Sequence, residues 1–319
     1  MTVLFLDSVH QYLENKLNEN GFSCIDGTTI SKEDCIKQLH NVDGLVLRSR
    51  FTMNEDFLKH APNLKFIARS GAGMENIDEV YCALKNITLF NAPEGNRNAV
   101  GEHALGMLLC LMNKFQQGDR DVRQGIWDRE GNRGEEIMGK TIGIIGYGNN
   151  GSSFAEKLKG FDCTILVYDK YKKIKSNSYV SQTSLETLYR EADVISFHIP
   201  QNKETIYWAN TAFFTSLSKP IFLLNLARGK IVDTKALLIA LKKGIVKGAG
   251  LDVLEFEKSS FEHFEENGNN TFLTLMKQQN ILLTPHVGGW TNESYLKLSM
   301  VLADKIMAWY ENVRIKKVN

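Results

Sequence analysis

Two sets of residues in this chain have types and spacing that can do chemistry. The first is a glycine cluster. In TIGIIGYGNNG, Gly146, Gly148 and Gly151 stand at G-x-G-x-x-G spacing, after an apolar run and before a helical pattern (Ser152–Gly160). A second apolar run, Thr164–Tyr168, ends in Asp169, about 20 residues beyond the loop. Gly146 permits a tight turn, Gly148 lets a pyrophosphate approach the backbone, and Gly151 lets the helix pack close to the strand. The helix N-terminus offers unpaired N–H groups and roughly half a positive charge to phosphates. Asp169 can accept hydrogen bonds from a ribose diol and would repel a 2′-phosphate, which favours NAD over NADP. Lys170, Lys172 and Lys173 soften that preference.

The second set is dispersed: Arg228 in NLARGKIVD, Asp252 and Glu257 in GAGLDVLEFE, and His286 in LLTPHVGG. Each follows an apolar run. In a doubly wound sheet, ligands gather where the strands end, so residues far apart in sequence can meet there. Their chemistry is complementary. His286 can take the proton of a hydroxyl being oxidised and return it in the reverse direction. A carboxylate beside it, Glu257, would favour the imidazolium. Arg228 presents a planar fork to a carboxylate and an adjacent carbonyl oxygen. Taken singly, each of these residues is as readily a turn or surface residue.

The elements that must position both sets are short apolar runs alternating with amphipathic stretches. Val3–Leu6, Gly44–Leu47, Phe66–Ala68 and Ile87–Phe90 come first, then a helical segment over Asn98–Phe115 after the turn-rich NAPEGNRN. The alternation resumes with TIGIIG, TILVYD, DVISFHIP, IFLLNLA, GAGLDV and ILLTPH. β-Branched runs of this kind suit strands buried on both faces, and alternation with helices indicates an α/β fold with parallel sheets. The last stretch, Asn292–Val313, reads as an amphipathic helix, and Lys258–Asn270 as a polar surface excursion.

The totals exclude other classes. With 38 basic and 37 acidic residues among 319, a net charge of +1 gives no reason to expect nucleic acid or an anionic membrane as partner. The five cysteines are scattered without a CxxC pair, so neither a disulfide framework nor a metal site is expected. The N-terminus lacks a basic leader, and no apolar run approaches the roughly 20 residues of a membrane span, so a soluble cytoplasmic protein is expected.

At this point the chain resembles a family. The blocks RSGAGMENID, NAVGEHAL, GKTIGIIGYGNNG, ADVISFHIPQNKET, LNLARGKIVD, GAGLDVLEFE and LTPHVGG are similar, in order, to the D-isomer-specific 2-hydroxyacid dehydrogenases. The resemblance implies a Rossmann NAD-binding domain (95–287) inserted into a discontinuous flavodoxin-like substrate domain (1–94 plus 288–319), both doubly wound. It implies Arg228, Glu257 and His286 as the catalytic set. Cofactor contacts would come from Asn149, Asn150, Ile199 and Pro200, with Ala227, Asp252, Gly288 and Gly289 at the nicotinamide end. It implies a homodimer through the cofactor domain.

Within the family, the block LRSRFTMNEDFL is similar to a segment that binds a substrate phosphate. That likeness implies oxidation of 3-phosphoglycerate to 3-phosphohydroxypyruvate in serine biosynthesis. Arg48 and Arg50 would hold the phosphate, Arg69 and the loop Gly71, Ala72 and Gly73 the carboxylate, and Arg129 would add charge. The alternatives are a glyoxylate or hydroxypyruvate reductase, a D-lactate-type enzyme, or, from another class, an NAD-binding regulatory scaffold. The chain departs from the family pattern in two places. Asn149–Asn150 replaces the usual Arg–Ile, which bears on cofactor affinity and helix packing. Lys258 replaces the Pro that usually follows the catalytic Glu, which leaves Glu255 as a second candidate. His198 reads as a positioning residue, His103 as a packed or interface histidine, and the four tryptophans as packing residues.

Overall fold

The structure, a computed structural model, describes residues 1–257 and 270–318. The polar excursion expected at Lys258–Asn270 lies outside the described residues except for Asn270. The described chain forms two compact units, one holding Met1–Asn96 and 290–318, the other Arg97–Glu257 and 270–289.

In the first unit, β1 (Thr2–Phe5), β2 (Ser23–Asp26), β3 (Gly44–Leu47), β4 (Phe66–Arg69) and β5 (Thr88–Asn91) form one parallel sheet in the order β2-β1-β3-β4-β5. This is the flavodoxin-like order, whose reversal point lies between β1 and β3. β3 and β4 are buried at every position, as strands covered on both faces must be. One face is covered by the last helix, Asn292–Val318, which buries Leu298, Leu302, Ala303 and Ile306 against Val3, Phe5, Val46 and Phe66. Lys305 ties that helix to the end of β5 through the Asn91 carbonyl (2.9 Å) and Glu94. The opposite face carries a second apolar cluster around Leu45, Leu47, Met53, Phe57 and Ile67.

In the second unit, β6 (Thr141–Ile145), β7 (Thr164–Tyr168), β8 (Val180–Gln182), β9 (Val194–Phe197), β10 (Ile221–Asn225), β11 (Val246–Leu251) and β12 (Ile281–Leu283) form a parallel sheet in the order β12-β11-β10-β9-β6-β7-β8. The chain winds outward from β6 through β7 to β8, then returns to β9 and winds the other way. The reversal beside β6 is the Rossmann switch point, where a dinucleotide is expected. Apolar clusters lie on both faces of this sheet.

Two features differ from the sequence expectation. The strands β2 and β8 were not anticipated. Both are edge strands, and most of their residues are partly or fully exposed, so they lack the continuous apolar run that marked the others. The helix expected at Asn98–Phe115 runs instead over Pro93–Met112. Pro93 suits the first helical position, where no N–H is needed and its fixed φ is already helical, so NAPEGNRN is helical from Pro93 onward rather than a turn. A short helix, Phe115–Arg123, follows after Lys114 takes a left-handed backbone.

No described helix is long and apolar enough to cross a membrane.

Candidate active site

The glycine loop follows β6 at the switch point. Gly146 has φ +92°, and a Cβ there would lie 2.6 Å from the His198 carbonyl oxygen. A Cβ on Gly151 would lie 2.0 Å from the Gly146 carbonyl, so the helix Asn149–Lys157 packs against its strand only without one. Beside Gly148 the space is open, and that residue caps the helix without a side chain. The helix N-terminus therefore has room before it and no side-chain acceptor on its N–H groups. These residues fit a dinucleotide pyrophosphate.

Asp169 ends β7 and is anchored by the N–H groups of Tyr147 (2.8 Å), Tyr171 (3.0 Å) and Lys172 (3.0 Å). Burial works to raise its pKa, but these donors and the Lys172 charge outweigh burial and hold it below the usual carboxylate value. Lys170 is drawn onto Glu204 (2.6 Å), which also accepts from the Tyr171 hydroxyl. One of the three lysines expected to soften the NAD preference is thus engaged with a carboxylate. Asn150, the unusual polar residue of the loop, has its Oδ1 buried without a hydrogen-bond partner. That is the packing consequence of placing an amide where an aliphatic residue is usual.

Ile199 and Pro200 follow β9. Ile199 abuts Gly146, and the Pro200 carbonyl accepts from the Thr205 hydroxyl (2.7 Å). His198, just before them, bonds Ser196 through Nε2 (2.8 Å), while its Nδ1 is buried without a partner.

The dispersed residues converge because their strands are in register. Asn225 pairs with Leu251 and Leu251 with Leu283, so the loops after β10, β11 and β12 begin side by side. Asn225 is fully buried, accepts from Ala227 N–H (3.1 Å) and donates to the Arg228 carbonyl (2.9 Å), which fixes the turn carrying Arg228. Gly229 then passes so close to the next loop that a Cβ would lie 1.9 Å from the Leu254 carbonyl.

Glu257 accepts from Leu254 N–H with one oxygen and contacts His286 Nδ1 at 2.8 Å with the other. The structure thus brings Glu257, and not Glu255, to His286. Glu255 instead accepts from Thr234 N–H (3.3 Å), and burial raises its pKa. A carboxylate at Nδ1 orients the ring and favours the tautomer with its proton on that nitrogen. His286 itself has φ +54°, unusual for a residue with a Cβ. Its N–H donates to the carbonyls of Asp252 (2.8 Å) and Thr284 (3.0 Å). The Asp252 carboxylate accepts from Val287 N–H (2.9 Å), Gly288 N–H (2.8 Å) and the Thr284 hydroxyl (2.6 Å).

In the first unit, Asp7 uses one carboxylate oxygen to accept from the N–H groups of Arg48 (2.6 Å), Ser49 (3.0 Å) and Arg50 (3.2 Å). Arg50 was expected to hold a phosphate. Its guanidinium donates instead to the carbonyls of Leu6, Gly27, Thr28 and Ile30, so it staples the loop. Arg69 is buried and donates through Nε to the Arg48 carbonyl (3.0 Å). The loop of Gly71, Ala72 and Gly73 is held by Ala92 N–H on the Gly71 carbonyl and by Asn91 on that of Ala72, both at 2.8 Å. Arg129 is exposed, in the other unit.

Sequence reasoning missed Trp290 by reading it as packing. The Arg48 guanidinium lies 3.9 Å over its ring, and Tyr295 braces the indole edge-on at 5.4 Å. The signal was its position directly after Gly288 and Gly289. Trp127 is not a packing residue here either, being 81% exposed. Among the described residues no cluster of three metal-ligating side chains occurs.

Fold and glycine loop together mark a dinucleotide-binding protein of the Rossmann class. The NAD-binding domain of the D-isomer-specific 2-hydroxyacid dehydrogenases matches residues 105–288. The chain is 33% identical over 309 residues to D-3-phosphoglycerate dehydrogenase of Archaeoglobus fulgidus, covering 96% of this chain and 57% of the relative. It is also 33% identical over 289 residues to glyoxylate reductase of Pyrococcus furiosus, covering 88% and 83%. A solved structure of D-lactate dehydrogenase from Aquifex aeolicus, complexed with NAD and lactic acid, superposes with a TM-score of 0.81 at 26% identity, over 98% of this chain and 96% of that one. The chain belongs to the D-isomer-specific 2-hydroxyacid dehydrogenases, and its cofactor is NAD. It spans little more than half the length of the Archaeoglobus relative.

Burial pushes the His198 imidazole down to about 4, against 6.5 for a free side chain. The unfolded chain therefore takes a proton that the folded chain resists. The stability this neutral ring allows is full above about pH 6.5 and is lost as pH falls toward 4. Urea unfolding at pH 7 and pH 5 should show a smaller loss of stability in His198→Gln than in the parent, and equal losses would contradict this account.

Proposed function

We propose that this protein is a phosphoglycerate dehydrogenase, oxidising 3-phosphoglycerate at C2 to 3-phosphohydroxypyruvate with NAD. The observation that carries the reading is the Glu257–His286 pair, at 2.8 Å and in register with the Arg228 turn. A proton-transfer couple on strand ends beside a dinucleotide loop serves a reaction that moves a proton and a hydride together.

NAD, when bound, supplies the acceptor for the C2 hydride. The glycine loop, with Asn149 and Asn150, would hold its pyrophosphate and Asp169 its ribose diol. Ile199 and Pro200 would line the adenosine side, and Ala227, Asp252, Gly288 and Gly289 the nicotinamide side. His286 Nε2 accepts the substrate hydroxyl proton, and the imidazolium so formed is stabilised by Glu257. Arg228 pairs with the substrate carboxylate and with the carbonyl oxygen that develops at C2. In the reverse direction His286 donates the same proton.

Arg48 and Arg69, with the N–H groups of the Gly71–Gly73 loop, are assigned to the anionic groups of the substrate. Arg48 supports a phosphorylated substrate because Trp290 covers one face of its guanidinium and leaves the donor edge to be satisfied by an anion. The glyoxylate reductase likeness, equal in identity, keeps glyoxylate and hydroxypyruvate as the second reading. A cytoplasmic homodimer completes the proposal. The segment from Phe115 to Met138 exposes Phe115, Val122, Ile126, Trp127 and Met138, apolar side chains that a second copy of this chain would cover.

His286→Ala should lower turnover by roughly 10²–10⁴, the range for loss of a general acid–base, and unchanged turnover on every 2-keto acid tested would sink the assignment. A panel of 3-phosphohydroxypyruvate, hydroxypyruvate, glyoxylate and pyruvate with NADH separates the readings. Arg48→Leu should raise KM for the phosphorylated substrate at least tenfold more than for hydroxypyruvate, the equivalent of about 1.4 kcal/mol. Equal effects on both would remove the phosphate assignment. NADH binding with no turnover on the whole panel would favour a regulatory scaffold.

A further inference from the structure

We propose that His103, on the helix Pro93–Met112, is a positioning residue for His286, acting through Thr284 and Asp252. His103 Nε2 lies 3.1 Å from Thr284 Oγ1, and that hydroxyl lies 2.6 Å from Asp252 Oδ1. His103 and Asp252 themselves are 3.6 Å apart. That carboxylate also accepts from the N–H groups of Val287 and Gly288.

A count of protons sets the direction of the chain. The Asp252 carboxylate is 2% exposed and accepts from two backbone N–H groups, so it is the terminal acceptor. The single proton of the Thr284 hydroxyl is committed to it. The oxygen of that hydroxyl then faces His103 with a lone pair, and His103 must donate through an Nε2–H. The donors therefore run from His103 to Thr284 to Asp252.

Its far end is the backbone around His286. Asp252 accepts from the two residues that follow His286 through its carboxylate, and from His286 itself through its carbonyl. These bonds hold the left-handed backbone at His286, a conformation that is unfavourable for a residue with a Cβ. Removing the His103 donor leaves the Thr284 oxygen half-satisfied and frees the hydroxyl to turn away from Asp252. The carboxylate then loses one of its donors in a buried place, and the aim of the His286 ring loosens. A misplacement of about 1 Å at a reacting group is enough to cost about 100-fold in rate. His103 stands three contacts back from His286, and a smaller loss of about tenfold is expected.

This inference rests on the reading of His286 as the proton-transfer group. The test uses the full-length protein, saturating NADH, and whichever of 3-phosphohydroxypyruvate and hydroxypyruvate is turned over faster. His103→Leu should lower kcat about tenfold, with KM for the keto acid and Kd for NADH within twofold of the parent. His103→Gln places an amide donor near the Nε2 position and should recover most of the loss. Thr284→Val, which keeps the shape and removes the hydroxyl, should match His103→Leu, and the double variant should be no worse than either single one.

Parental kcat in His103→Leu, a loss in His103→Gln as large as in His103→Leu, or additive losses in the double variant would overturn the proposal. His286→Ala in the same assay separates the two levels. If it is inactive while His103→Leu is parental, His103 is the error. If it is active, the proton-transfer assignment is wrong and the positioning role falls with it.

Discussion

A buried carboxylate with three donors is the interaction on which the candidate active site depends. The Asp252 carboxyl is only 2% exposed, and it is satisfied there by the N–H groups of Val287 and Gly288 and by the Thr284 hydroxyl. Those same bonds fold the segment after β12 back over the end of β11. That return holds His286 in its left-handed conformation and presents its Nδ1 to Glu257. The carboxylate is thus both satisfied by the loop and the reason for its shape. The parallel register of β10, β11 and β12 makes this possible, because it starts the three loops from one line.

The glycine loop is governed by a constraint of a different kind. It depends on missing atoms rather than on added bonds, since Cβ atoms at Gly146 and Gly151 would occupy space already filled by backbone. Close approach of strand, loop and helix leaves the helix N-terminus open beside Gly148. Asp169, held by three N–H groups, marks the end of the neighbouring strand. The glycine loop and the Glu257–His286 pair therefore belong to one sheet. The anion-binding candidates of the other unit are fixed by their own scaffold, in which Asp7 gathers three N–H groups and Arg50 closes on four carbonyls.

Much of this was legible in the residues. Strands buried on both faces announce themselves as apolar runs, and the ten with such runs were read correctly. The two that were not, β2 and β8, are edge strands whose residues are mostly exposed and polar, which removes the pattern, whereas the edge strands β5 and β12 keep an apolar run. Glycine spacing and a terminal Asp mark the cofactor loop because the steric demands are local. The job of Arg50 was not legible, because the carbonyls it holds come from residues 6 and 27–30, which only the fold assembles. Trp290 and His103 were read as packing residues for the same reason. A stack on Arg48 and a bond to Thr284 leave no periodicity or spacing in the sequence.

The central claim is that the chain moves a hydride between nicotinamide C4 and C2 of a D-2-hydroxy acid, with His286 moving the proton. NADH deuterated at C4 on both faces, incubated with a 2-keto acid from the panel, tests it most directly. Chiral analysis and mass spectrometry of the product should find the D-hydroxy acid with one deuterium at C2. A product of the L configuration, or one without deuterium at C2, would contradict the account.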